Sequence, residues 1–211
     1  MTTVRSVSVD ISTGRTYAGK APGERRADRR ARLLDAGLQV FGTVTWDEAG
    51  ITLICATARV GTRAFYEEFD NREALLLEVA TGIVERGSAI LRLALDGAPA
   101  TLEGVIGTGL TSFLGFVTND PRRARVIYGA VPCAESLISD RHRAAHGLAV
   151  LLTGLQPSLG IADRARDNPT LALALVGAAG ELLGAWVSTP TPTPIDDLIN
   201  ELTLLFVAAL R

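Results

Sequence analysis

Sulfur and imidazole are scarce in this chain. Two cysteines and two histidines in 211 residues cannot make a disulfide framework, and a reducing cytoplasm is the expected compartment. The sequence has no glycine-rich phosphate loop after a strand, no carboxylate pair with a pocket attached and no nucleophile elbow, so no enzyme class is called for. No period-two strand pattern competes with the helical one, and there is no internal repeat. Residues 1–22 mix charge with Ser, Thr and Gly and have no apolar run, which reads as a flexible tail rather than a targeting segment. The most apolar stretch, Leu171 to Val187, falls short of the ~20 residues that span a bilayer and contains Glu181. It is expected as a buried helix, with no membrane partner.

Positive charge in bulk is also missing. The net charge is −2, which argues against general attraction to nucleic acid. The distribution is uneven, however: residues 1–72 carry 11 Lys/Arg against 9 Asp/Glu, and the rest 10 against 14. Arg25, Arg26, Arg29, Arg30 and Arg32 crowd the start of the first expected helix, where guanidinium groups can lie along phosphates.

What the chain does contain is concentrated between Ile51 and Arg72, in the run ITLICATARVGTRAFYEEFDNR. Ile51, Ile54, Cys55 and Ala58 recur at helical spacing, as do Ala64, Phe65 and Phe69, with Val60 as an apolar plug between the two segments. Two short helices this close meet at a steep angle, which is a helix-turn-helix. Positions on the second helix not needed for a core are Thr62, Arg63 and Tyr66, groups suited to base edges and phosphates. Thr52, at the start of the first helix, joins Arg25, Arg26 and Arg72 as a further candidate for contact with a double-stranded DNA operator. Thr62 and Arg63 are expected in the major groove, Tyr66 and Arg72 on the backbone.

Around these residues the chain resembles the tetracycline-repressor (TetR) family of bacterial transcription regulators. Phe41, Tyr66 and Phe69 lie on that family's pattern without a gap, with Trp46, Ile54, Ala58 and Val60 at matching positions between them. Asn71, Arg72, Glu73 and Leu75 look like the opening of its long fourth helix. Three positions depart: Arg59 replaces the usual turn glycine, Gly61 a serine cap, and Gly50 a threonine cap. A non-glycine residue in a left-handed turn costs roughly 1 kcal/mol or more, a missing cap side chain only a few tenths.

The resemblance implies an all-α protein with three parts: a tail (1–22), an amino-terminal helix-turn-helix three-helix domain (23–71), and a larger helical effector-binding and dimerisation domain (72–211). It further implies a repressor that leaves its operator when a ligand swings the fourth helix. The alternative is an all-helical small-molecule-binding protein or enzyme without DNA binding.

Beyond the motif, apolar residues repeat at helical spacing. Leu76, Val79, Ile83, Ile90 and Ala94 form one stripe, and Ile106, Leu110, Phe113, Leu114 and Val117 the next. Pro121 after Asp120 opens a short helix through Tyr128, and a longer one is expected from about Ser136 to Leu155. Phe113, Phe116, Tyr128 and Trp186 supply the aromatic wall expected of a cavity for a small apolar or amphipathic organic effector, with Tyr128, Glu181 and His146 as polar handles. Gly177, Gly180 and Gly184 punctuate the penultimate helix at a cost of about 1 kcal/mol each relative to Ala, which close helix approach offsets. The last helix offers Leu198, Leu202, Leu205 and Phe206 for that approach, and the resemblance places these residues at a homodimer interface. His142 and His146 have i, i+4 spacing, with Cys133, Glu135 and Asp140 just before, but Arg141 and Arg143 oppose a bound cation, so neither metal nor cofactor is expected.

Overall fold

The computed structural model describes residues 22–129, 135–154, 159, 161, 168–190 and 192–211. Helices succeed one another along this chain without a strand among the described residues. They are α1 (Pro22–Phe41), α2 (Ile51–Ala58), α3 (Thr62–Tyr66), α4 (Arg72–Leu95), α5 (Leu102–Thr118), α6 (Pro121–Tyr128), α7 (Glu135–Thr153), α8 (Pro169–Ser188) and α9 (Ile195–Leu210). The all-α architecture matches the reading from periodicity.

Local chemistry sets most of the helix starts. Asn71, Thr101, Asp120 and Asn168 each accept a backbone N–H of the following first turn, at 2.7, 3.0, 3.1 and 3.0 Å, and Pro121 and Pro169 stand where a missing N–H costs nothing. Helices α2 and α3 instead begin at Gly50 and Gly61 with no side-chain cap. Helix α2 ends at Arg59, whose φ of 54° and ψ of 49° are left-handed. It is the one non-glycine residue with positive φ among the described residues, and its N–H returns to the Ala56 carbonyl at 3.2 Å.

Two apolar cores form. The amino-terminal one gathers Leu33, Val40, Phe41, Ile54, Phe65 and Phe69 and continues along α4 through Leu75, Leu76, Val79 and Ile83. The carboxy-terminal one joins α5, α8 and α9 through Ile106, Leu114, Leu175, Leu183, Leu202 and Phe206. Beyond Ile83 the buried stripe of α4 passes through Gly87 to Leu91, steps of four that leave Ile90, expected inside, 38% exposed.

Helix α6 belongs to both cores: Val126 lies in the first and Ala124 in the second. Gly42, just past α1, permits this docking, because a Cβ there would overlap the backbone and Cβ of Arg122. Helix α8 has 20 residues and is long and apolar enough to cross a membrane, so length does not exclude it. Its Ala172, Leu175, Ala179 and Leu183 nonetheless face the protein's own core, and its main neighbours are α7 and α6.

Candidate nucleic-acid interface and effector cavity

Helix α3 projects the expected side chains outward while Phe65 anchors it. Phe65 is fully buried, edge-on to Tyr66 at 5.5 Å and tilted against Phe69 at 5.9 Å. Arg63 is 95% exposed, with only Glu67 near it at 3.4 Å, and Tyr66 is 56% exposed. Thr62 is exposed and also hydrogen-bonds the Cys55 thiol, whose pKa burial raises against that bond. Thr52, in the first turn of α2, is exposed too. These four side chains share solvent access that a groove can enter.

Two of the expected phosphate ligands are occupied elsewhere. Arg72 stacks its guanidinium 4.0 Å from the centre of the Trp46 ring and donates to the carbonyls of Trp46 (2.9 Å) and Ala49 (3.3 Å). It ties down the loop between α1 and α2 and is not presented to a ligand. Arg26, although its side chain is 66% exposed, turns its Nε to both oxygens of Glu68, at 3.1 and 3.2 Å. Arg29 joins it at 3.0 Å and Arg30 at 3.4 Å. The Glu68 carboxylate is fully enclosed. Burial alone would raise its pKa, yet the hydrogen bonds and charges of Arg29 and Arg26 hold it below the usual glutamate range. The arginine crowd is thus mostly an internal ion-pair hub, and Arg25 remains exposed on the first turns of α1.

A cavity of about 120 Å³ lies in the carboxy-terminal half, walled by residues of α4 to α9 such as Leu91, Gly109, Phe113, Tyr128, Leu152 and Phe206. Tyr128 carries the one polar side chain among its lining residues. Phe113 and Tyr128 were expected there; Phe116, His146, Glu181 and Trp186 do not line it. Phe116 packs between the two cores under the Arg123 guanidinium, 4.2 Å from its ring centre. His146 and Glu181 lie on exposed faces of α7 and α8. The Trp186 Nε1 donates to the Thr193 carbonyl at 2.8 Å, bracing the α8–α9 connection. The aliphatic wall from α4, α5 and α7 escaped the sequence reading, because leucines that line a cavity have the same spacing as leucines that fill a core.

The interface residues also redistribute. Leu198, Leu202 and Phe206 are buried inside this chain, because α9 packs on α5 rather than on α8. Their surface is already covered within the single chain, whereas Leu205 is 44% and Leu204 71% exposed. Gly180 and Gly184 face Tyr128 of the same chain, and a Cβ at either would stand 3.8 and 3.5 Å from it, an ordinary van der Waals contact that does not itself require glycine. Gly177 is exposed with open space around it. His142 and His146 are exposed on α7, Cys133 and the side chains of Glu135 and Asp140 fall outside the described residues, and no metal-binding group of acidic, His or Cys side chains occurs among the described ones.

The amino-terminal core coincides with residues 33–79, which match the family model described as bacterial regulatory proteins, tetR family. Residues 33–79 are thus of the TetR amino-terminal type. No curated protein matches it, but solved structures do. A TetR-like transcriptional regulator from Rhodococcus sp. RHA1 is 24% identical with a TM-score of 0.63, over 85% of this chain and 96% of that one. The fatty acid degradation regulator FadR from Bacillus halodurans is 18% identical with a TM-score of 0.71, over 91% and 96%. FadR from Bacillus subtilis, in complex with stearoyl-CoA, is 18% identical with a TM-score of 0.67, over 86% and 99%. At these identities the likeness establishes a common fold across both halves of the chain.

Proposed function

We propose that this chain is a homodimeric TetR-family repressor in the cytoplasm, released from a palindromic operator by a small, uncharged, apolar effector. The observation that carries this reading is the position of α6. At one end Tyr128 lines the cavity; at the other Arg122, clamped by Asp120 at 2.8 and 2.9 Å, donates to Gln39 of α1 at 2.6 Å. A ligand that displaces Tyr128 therefore pushes on the helix-turn-helix through α6 and through α4, which also runs between the cores. Two recognition helices must sit about 34–36 Å apart to read successive half-sites, and a tilt of α4 spoils that spacing. The effector acts only by binding the DNA-free form more tightly.

Its chemical class follows from the lining. A charged group there would meet aliphatic side chains, Phe113, Phe206 and one tyrosine, and burying it unpaired is costly. The volume is close to the ~150 Å³ of a cavity that takes up benzene, so one small ring or a short alkyl chain fits the resting form.

Dimerisation is assigned to the outer faces of α8 and α9, where Gly177, Leu182, Leu204 and Leu205 are exposed. A two-fold protein on a two-fold site gives the repressor its palindrome.

Selection of bound duplexes from a random pool tests the core of the proposal. A palindromic site of nanomolar affinity that weakens steeply with salt is expected. Arg63→Ala should cost about 1–3 kcal/mol on that site and relax its sequence preference. Failure to enrich any sequence at low salt favours a helical ligand-binding protein without DNA binding.

A further inference from the structure

Helix α3 is five residues long, which is only about 7.5 Å of helix at 1.5 Å per residue. Among the described elements its main backbone neighbour is α2; Phe65 fixes its centre and the Thr62–Cys55 bond its start, which leaves the roll and tilt of its exit to other contacts. What fixes them lies two residues beyond its end. Glu68, enclosed by Arg26, Arg29 and Arg30 of α1, ties the exit of α3 to the first helix through four nitrogen–oxygen contacts of 3.0 to 3.4 Å. Arg30 reinforces the tie by donating to the Glu68 carbonyl at 3.2 Å and to Glu78 of α4 at 2.5 Å, while lying 4.6 Å from the Phe69 ring centre.

We infer that Glu68 is a positioning residue for DNA reading: it sets the orientation of the recognition helix and holds three arginines away from phosphates, thereby favouring specific over non-specific binding. The inference rests on the DNA-binding reading above. The physical argument has two halves. A carboxylate that accepts from several guanidiniums is held in place by charge-assisted bonds whose geometry is directional, and base-edge contacts by Thr62 and Arg63 lose their fit when a short helix rolls by an ångström. The same carboxylate neutralises part of a cationic cluster beside the groove-facing surface. Without it, arginines on α1 gain freedom to follow a phosphate backbone of any sequence.

The test uses the full chain and a duplex enriched by selection with the wild-type protein, compared with an unrelated duplex over a range of salt. Glu68→Gln should lower affinity for the selected duplex at least about tenfold while leaving affinity for the unrelated duplex unchanged or raised. Its salt dependence on the unrelated duplex should steepen by about 0.9 in log–log slope for each phosphate newly engaged. Glu68→Asp keeps the charge but not the reach, and should fall between wild type and Glu68→Gln in the ratio of the two affinities; it carries the test if Glu68→Gln does not fold. An unchanged ratio in a folded variant overturns the inference, as does a parallel loss of both affinities with a lowered melting temperature, which marks a purely structural role. If the wild-type protein selects no sequence, the DNA-binding reading has failed and this inference falls with it; wild-type selection with an unchanged variant ratio removes the inference alone.

Discussion

Arg72 covers the indole of Trp46 and donates to the Trp46 backbone carbonyl, a double engagement at 4.0 and 2.9 Å. One side chain thus fixes both the ring and the main chain of the loop that leads into α2. Cation–π contact contributes roughly 0.5–2 kcal/mol and a hydrogen bond from a charged group about 1.5–3. Arg72→Ala should destabilise the protein by about 2 kcal/mol, which at this size is a fall of roughly 4–8 °C in Tm. A normal melting curve combined with weaker DNA binding would return Arg72 to the phosphates.

Arg59 occupies a left-handed conformation that a Cβ disfavours by roughly 1–2 kcal/mol. Arg59→Gly relieves it, offset in part by the greater freedom of glycine in the unfolded chain. The Arg32 bond at 3.4 Å goes to the Arg59 backbone carbonyl and survives the change. A gain of about 0.5–1 kcal/mol in urea unfolding is expected, and a loss would show that the arginine side chain contributes packing or charge that outweighs the strain.

The cavity should discriminate by charge. Phenol and toluene at a hundredfold excess over their Kd should each stabilise by about 2.7 kcal/mol, or roughly 5–10 °C by differential scanning. Gly180→Leu fills the space and should abolish both shifts. Tyr128→Phe should reduce the phenol shift and spare that of toluene. Benzoate acting as strongly as phenol would overturn the uncharged class.

Leu204 and Leu205 lie outside the chain's own core, so arginine at both positions should leave a folded protomer but part the dimer. Light scattering should then report half the mass with helical circular dichroism unchanged. A stable dimer of the double variant would move the interface away from α9.

The helices and the helix-turn-helix were legible in the sequence because they depend on short-range physics. Apolar residues at steps of three and four, a proline after Asp120, and an asparagine before Arg72 act within a turn or two of themselves, and tertiary packing had no reason to override them. The strained turn at Arg59 was expected as well, but from the resemblance, which puts a turn glycine there, and not from periodicity.

The assignment of side chains to roles was not legible, because it depends on what lies opposite. Arg26 and Arg72 have the composition of phosphate ligands, and only the arrival of Glu68 and Trp46 from elsewhere in the chain turns them inward. Leu198, Leu202 and Phe206 have the spacing of an interface, and α5 covers them instead. The small residues of α8 suggest a close helix approach, yet Gly180 and Gly184 meet Tyr128 at ordinary contact distance and Gly177 faces open space. Periodicity determines that a face is apolar; the tertiary structure alone decides whether that face meets a core, a cavity or a second chain, since the same burial free energy rewards all three.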